Sequence, residues 1–196
     1  MAIPNVTRGG LRSARFLAAG TATRILLTPV VMALILLPEG DDAEVLATVL
    51  FCVAAATDYV DGRLARRWNV TSRLGSFLDT TADKLLVSGV LIALLGVDRV
   101  SPWIAALIIG REFVLMGLRG VIASEGDVMA PSMLGKLKTS IQFLAIALAI
   151  PRPGDEIGGL YLDEWAMLAA AAITVWSAVD YLVRAAPLLR SGSAPR

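Results

Sequence analysis

The sequence predicts an all-α, integral membrane fold of six transmembrane helices with an N-terminal interfacial amphipathic helix, and three observations predict it. The 196-residue chain is 56% hydrophobic, with a mean hydropathy of +0.69, well above the roughly 45–50% apolar content of soluble domains. Its apolar residues gather into six runs. The stretches between those runs alternate between acidic and basic, as loops on opposite sides of a membrane do. No Ser/Gly-rich linker, charge block or internal repeat divides the chain. It therefore reads as one integral domain over residues 21–190, preceded by a helix over 1–20 and followed by a disordered tail over 191–196.

In chain order, Val6 to Gly20 carries Arg8, Arg12 and Arg15 at helical spacing, with Leu11, Phe16 and Leu17 between them. That pattern predicts a helix lying on the inner leaflet. A cleaved signal peptide fits less well, because Arg24 interrupts the approach to the apolar run and no small-residue cleavage site follows. The six runs are Ile25 to Leu37, Ala43 to Thr57, Leu85 to Val97, Trp103 to Val121, Ile141 to Ile150 and Leu160 to Val183. Several are shorter than the roughly 20 residues that a crossing helix needs, so they must extend into polar flanks. Extending the second to about Arg66 and the third back to about Gly75 gives two helices joined by a short turn.

Charge sets the orientation. Glu39, Asp41, Asp42 and Glu44 lie between runs one and two or at the start of the second; Asp155, Glu156, Asp163 and Glu164 lie between five and six or at the start of the sixth, with only Arg152. Facing the other way are Arg8, Arg12 and Arg15, then Arg63, Arg66, Arg67 and Arg73, then Lys136 and Lys138, then Arg184, Arg190 and Arg196. Positive residues favour the cytoplasmic side. Both termini and the turns after runs two and four are thus expected there.

The chain has no histidine, and Cys52 is its only cysteine. An intramolecular disulfide is excluded, acid–base work falls to carboxylates, lysines, tyrosines or water, and any metal site must be built mainly from oxygen. Four aspartates, Asp58, Asp61, Asp79 and Asp83, stand in otherwise apolar surroundings. On a helix, Asp58, Asp61, Gly62 and Ala65 fall within an arc of about 100°, and Gly75, Asp79 and Asp83 within about 80° on the next. Two faces of carboxylates and small residues would meet around one cavity. Four anions in a partly dry site need compensation. Two hard divalent ions, Mg²⁺ or Mn²⁺, supply it and suit phosphoryl chemistry. Pairing with Arg63, Arg66, Arg67, Arg73 and Lys84 is the plainer alternative, and the small residues also suit helix packing.

The run Asp58, Gly62, Ala65, Arg66, Gly75, Asp79 and Asp83, with Asp61, resembles at every signature position and spacing the CDP-alcohol phosphotransferase family. The resemblance implies a six-helix membrane fold, a homodimer, and transfer of a phosphatidyl group from a CDP-linked lipid to an alcohol, with CMP leaving. It implies that Asp58, Asp61, Asp79 and Asp83 hold two divalent ions and that Asp83 is also the general base. It implies that Asp58, Gly62, Ala65, Arg66, Gly75 and Asp79 bind the nucleotide-linked donor, with Arg66 at the phosphates. It implies no nucleic-acid partner.

The second half bears on the acceptor. Arg111, Glu112 and Arg119 interrupt the fourth run, and Lys136 and Lys138 open the fifth. Ionisable residues inside a membrane usually face a cavity or a partner. Arg111 and Glu112 are helix neighbours on different faces, so a pair between them is not expected. Arg111, Arg119, Lys136 and Lys138 are read as an anion pocket for a phosphate; snorkelling and the positive-inside bias are the alternative for Arg119, Lys136 and Lys138. Gly110, Arg111 and Glu112, Leu118 and Arg119, and Gly135 to Thr139 also resemble the bacterial phosphatidylglycerophosphate synthase branch, as do Thr23, Arg24 and Pro29. That branch implies CDP-diacylglycerol as donor, sn-glycerol 3-phosphate as acceptor and a bacterial inner membrane. Thr80 stands where it often has proline. The resemblance covers about Thr21 to Ile150. Inositol phosphate or phosphatidylglycerol are the rival acceptors. A divalent-cation transporter would spread its acids through the depth of the membrane; here the four cluster at the cytoplasmic ends of two helices.

Overall fold

Each apolar run grows into one helix: α1 (Arg8–Ile35), α2 (Asp41–Trp68), α3 (Arg73–Gly96), α4 (Pro102–Ser124), α5 (Met133–Ala149) and α6 (Leu162–Ser191). This computed structural model describes residues 8–37, 40–68, 73–124 and 132–191, and their side chains except at 8–19, 41, 58–68, 73–76 and 189–191. Among the described residues no strand forms; a single bridge pairs Ile157 with Leu160. The backbone of α1 is helical without a break from Arg8 through Gly20 into the first apolar run, so the expected interfacial segment and the first span share one helix. Val6, Thr7 and residues 192–196 lie outside the described residues.

The chain divides into two units, Met1–Val97 and Asp98–Arg196. In the first, α1 packs against both α2 and α3. Its buried positions are Thr21, Arg24, Thr28, Val31 and Ile35, a stripe at spacings of three and four that defines one helix face. Against it α2 sets Ala47, Phe51 and Ala54, and α3 sets Ala82, Leu86, Val90 and Leu94. A Cβ added at Gly89 would lie 2.8 Å from Thr28 Cγ2 and 2.9 Å from Met32 Sδ. The missing side chain is what lets α1 and α3 approach so closely.

In the second unit α6 packs against both α4 and α5. Its inward face reads Asp163, Met167, Ala170, Thr174, Ser177, Tyr181 and Ala185, all buried. Tyr181 and Ala185 meet Leu115 and Ile122 of α4, with Leu118, Ala178 and Leu188 around them. The helix α5 starts at Ser132, whose Oγ accepts a hydrogen bond from the Gly135 amide at 3.1 Å, satisfying one of the free donors of the first turn.

Large apolar side chains face outward on all these helices, among them Leu26, Val49, Ile92, Val114, Leu144, Trp176 and Val183. Such surface is costly in water and neutral in lipid. Leu162–Leu188 of α6, 27 residues of mean hydropathy 1.7, is long and apolar enough to cross a membrane, and Gly20–Ile35 is a shorter apolar helix. By length and composition, no other described helix meets that standard. In α3 and α4 charge interrupts otherwise apolar segments, at Asp79, Asp83 and Lys84 and at Arg111, Glu112 and Arg119, and α5 spans only 17 residues.

Candidate active site

The aspartate signature falls on two successive helices. Asp58, Asp61, Gly62, Ala65 and Arg66 occupy the C-terminal part of α2, which ends at Trp68, and Gly75 lies in the first turn of α3, which begins at Arg73. The side chains of these six residues lie outside the described ones. Asp79 and Asp83 are described. They sit one turn apart on α3, both partly buried, on the same side of the helix.

Asp79 is held from α1. The Arg24 Nη2 donates to Asp79 Oδ1, and Thr21 Oγ1 reaches the same oxygen at 3.4 Å. Arg24 is fully buried, whereas the Asp79 side chain is 38% exposed. A guanidinium drawn wholly into an apolar helix interface is expensive unless an anion meets it, and Asp79 is that anion. The opposite oxygen, Oδ2, takes no hydrogen bond among the described residues and belongs to the part-exposed side chain. A part-exposed carboxylate with one oxygen held in place is suited to ligate a cation, and the donor set offers only oxygen. Among the described residues no three potential ligands cluster, since Asp79 and Asp83 are the only members of the quartet with described side chains.

A second ionisable cluster lies in the other unit. Arg111 Nη1 donates to Glu112 Oε1 at 2.8 Å, and Lys138 Nζ donates to the same oxygen. Arg111 Nη2 donates to Ser177 Oγ of α6 at 2.9 Å. The neighbouring pair Arg111 and Glu112, not expected from helix geometry, does form. Both side chains are long enough to bend across the angle between adjacent positions, and burial (7% exposure for Glu112, 3% for Lys138) makes an unmatched charge costly. The trio carries two positive charges and one negative.

The four basic residues of the expected phosphate pocket are not equivalent. Arg111 and Lys138 converge on Glu112. Lys136 is exposed, two residues from Lys138 and so on the far side of α5. Arg119 is exposed and stacks over the buried Tyr181 ring, 5.3 Å from its centroid, two turns of α4 beyond Arg111. Snorkelling does not describe Lys138, which is buried and paired. A cavity of about 420 Å³ between the starts of α4 and α6, lined by Arg99, Ser101, Glu164 and Met167 among others, contains none of these residues.

An apolar all-helical chain bearing this carboxylate signature on consecutive helices defines a class, the phosphatidyltransferases that use CDP-linked donors. A family model for CDP-alcohol phosphatidyltransferase matches residues 18–176, reaching well into α6, and the chain belongs to that family. Within it, the chain is 39% identical over 173 residues, 82% of its length and 90% of the relative's, to the CDP-diacylglycerol--glycerol-3-phosphate 3-phosphatidyltransferase of Bacillus subtilis (strain 168). It is 38% identical over 169 residues to the proteins of the same name from Escherichia coli (strain K12) and Salmonella typhimurium (strain LT2), with 83% of this chain and 90% of each relative covered. Family and outward apolar faces together place the chain at a membrane.

Proposed function

We propose that this protein transfers the phosphatidyl group of CDP-diacylglycerol to sn-glycerol 3-phosphate, giving phosphatidylglycerophosphate and CMP. The observation that carries the reading is 38–39% identity, over more than four-fifths of the chain, to relatives named for that reaction. The complete aspartate signature on α2 and α3 supports it.

In the proposed chemistry the free hydroxyl oxygen of the acceptor attacks the phosphorus on the diacylglycerol side of the pyrophosphate. A new P–O bond forms, the bond to the CMP phosphate breaks, and CMP leaves with the electron pair. Asp58, Asp61, Asp79 and Asp83 hold two divalent ions, Mg²⁺ or Mn²⁺, which when bound supply neutralising charge at the phosphates. Arg24 and Thr21 fix the carboxylate of Asp79. Asp83 takes the hydroxyl proton on its carboxylate oxygen, the role left to a carboxylate in a chain without histidine. Gly62, Ala65 and Gly75 leave room for the cytidine, and Arg66 meets its phosphates. Arg111 and Lys138, with Arg119 and Lys136, take the acceptor phosphate; the excess positive charge of the Arg111, Glu112 and Lys138 trio supports that role. The protein works as a homodimer in the bacterial inner membrane, crossing it six times, with termini and active site on the cytoplasmic side.

The test is transfer of labelled sn-glycerol 3-phosphate into chloroform-extractable lipid by purified protein, beside the Asp83→Asn variant. The wild type is expected to incorporate label and the variant to insert normally but to lose turnover; full activity in the variant would remove Asp83 as base.

A further inference from the structure

We infer that Ser177 of α6 is a positioning residue for the acceptor phosphate, setting the roll of the Arg111 guanidinium so that its Nε edge faces an oxyanion. The inference rests on the acceptor reading above and deepens it by bringing in a helix that the signature does not touch. A guanidinium presents Nε–H and the adjacent Nη2–H as two parallel donors, a fork that matches two oxygens of a phosphate. In Arg111 the Nη1 side is committed to Glu112, and Nη2 donates to Ser177 Oγ. Nε is buried and meets no hydrogen-bond partner. One tooth of the fork is thus held by a hydroxyl and the other faces no protein oxygen.

Ser177 is well placed to fix this orientation. It is 1% exposed, and its hydroxyl proton is given to the Thr174 carbonyl at 3.1 Å, so the oxygen acts as acceptor toward Arg111. The same face of α6 carries two further buried hydroxyls without a partner, Thr174 Oγ1 at 0% residue exposure and Tyr181 Oη at 5%. Positions 174, 177 and 181 follow at three and four residues and share that face. A buried polar group left unpaired is costly, and this seam has three: an N–H and two hydroxyls. All can donate. The chemistry that fits is an oxygen-rich anion with a hydroxyl-bearing carbon chain, a small phosphomonoester. The trio's single net positive charge suits such an anion.

The experiment compares wild type, Ser177→Ala, Ser177→Thr and Arg111→Ala as full-length protein in detergent, measuring CMP release against sn-glycerol 3-phosphate and against CDP-diacylglycerol. Ser177→Ala is expected to raise the acceptor KM about tenfold, with a much smaller change in kcat and in the donor KM, the weakening expected when a hydrogen bond to a charged group is lost. Ser177→Thr, which keeps the hydroxyl, should restore most of the loss. An unchanged acceptor KM in Ser177→Ala, or an equal rise in both KM values, overturns the inference. Should Ser177→Ala not fold, a wild-type-like acceptor KM for Ser177→Thr supports the hydroxyl role, and a KM shifted equally for both substrates refutes it. If Arg111→Ala raises the acceptor KM while Ser177→Ala does not, this inference alone fails; if wild type does not use sn-glycerol 3-phosphate, the acceptor reading fails first.

Discussion

Replacing Arg24 by glutamine removes the cation that, among the described residues, α1 sets against Asp79, and its consequences can be sized. The Arg24 side chain is fully buried and Asp79 is 38% exposed, so water can reach the carboxylate when the guanidinium is gone. A hydrogen bond to a charged group contributes about 1.5–3 kcal/mol, and partial exposure of Asp79 puts this one at the lower end. Glutamine retains a buried amide able to donate to Oδ1, so the fold should survive. The larger effect is on metal. Groups that orient a ligating carboxylate typically change metal affinity 10–100-fold when removed, equivalent to about 1.4–2.7 kcal/mol. Loss of a nearby positive charge acts the other way, because it lowers repulsion toward the cation. Orientation is expected to dominate, since Arg24 and Thr21 together fix a single oxygen of Asp79. Titration of Mn²⁺ followed by electron paramagnetic resonance of the free ion reads affinity without turnover. Weaker binding by at least tenfold in Arg24→Gln, with Arg24→Lys intermediate, is expected. Equal or tighter binding in the folded variant would refute the reasoning.

Chelation with EDTA should abolish activity, and Mg²⁺ or Mn²⁺ should restore it; activity that persists after exhaustive chelation contradicts the carboxylate site. Under the proposed phosphate pocket, Arg111→Ala and Lys138→Ala should each raise the acceptor KM more than the donor KM in steady-state assays, and an equal rise in both would contradict that pocket. Glu112→Gln should lower thermal stability, since it removes the charge that Arg111 and Lys138 share in a buried site; a melting temperature at or above that of wild type would contradict this. Gly89→Ala should be less stable than Gly117→Ala by about 1–3 kcal/mol in chemical denaturation, the usual cost of overpacking. The added Cβ meets Thr28 and Met32 below 3.0 Å at Gly89 and open space at Gly117. Thr28 cannot turn aside freely, because its hydroxyl is bonded to the Arg24 carbonyl at 2.8 Å.

The helical class was legible because apolar runs separated by alternating charge leave few alternatives, and each run became a helix. The aspartate signature stands out in sequence because it is local, and its positions fall on two successive helices, α2 and α3, as the spacing predicts. Arg24 shows where that kind of reading stops. In sequence it interrupts an apolar approach and shares in the branch resemblance; its partner Asp79 lies 55 residues away, and nothing in the local pattern around Arg24 points to it. Its place on the stripe of Thr21, Thr28, Val31 and Ile35 was the available clue, since a charged residue on a buried face requires a partner. The same limit applies to Lys138: its spacing marks a basic residue at the start of a span, but not its meeting with Glu112 across 26 residues. Ser177 escaped notice for a further reason: a serine in a membrane helix ordinarily bonds its own backbone, and only the arrival of Arg111 gives it another role.

The most direct measurement is CMP release by the purified protein in detergent with CDP-diacylglycerol and Mg²⁺, offering sn-glycerol 3-phosphate, inositol phosphate and phosphatidylglycerol in separate reactions. Release with sn-glycerol 3-phosphate, and none above background with the other two, is expected. Release only with inositol phosphate or phosphatidylglycerol would contradict the proposed acceptor while leaving the aspartate chemistry standing, and no release with any of the three would contradict the proposed reaction itself.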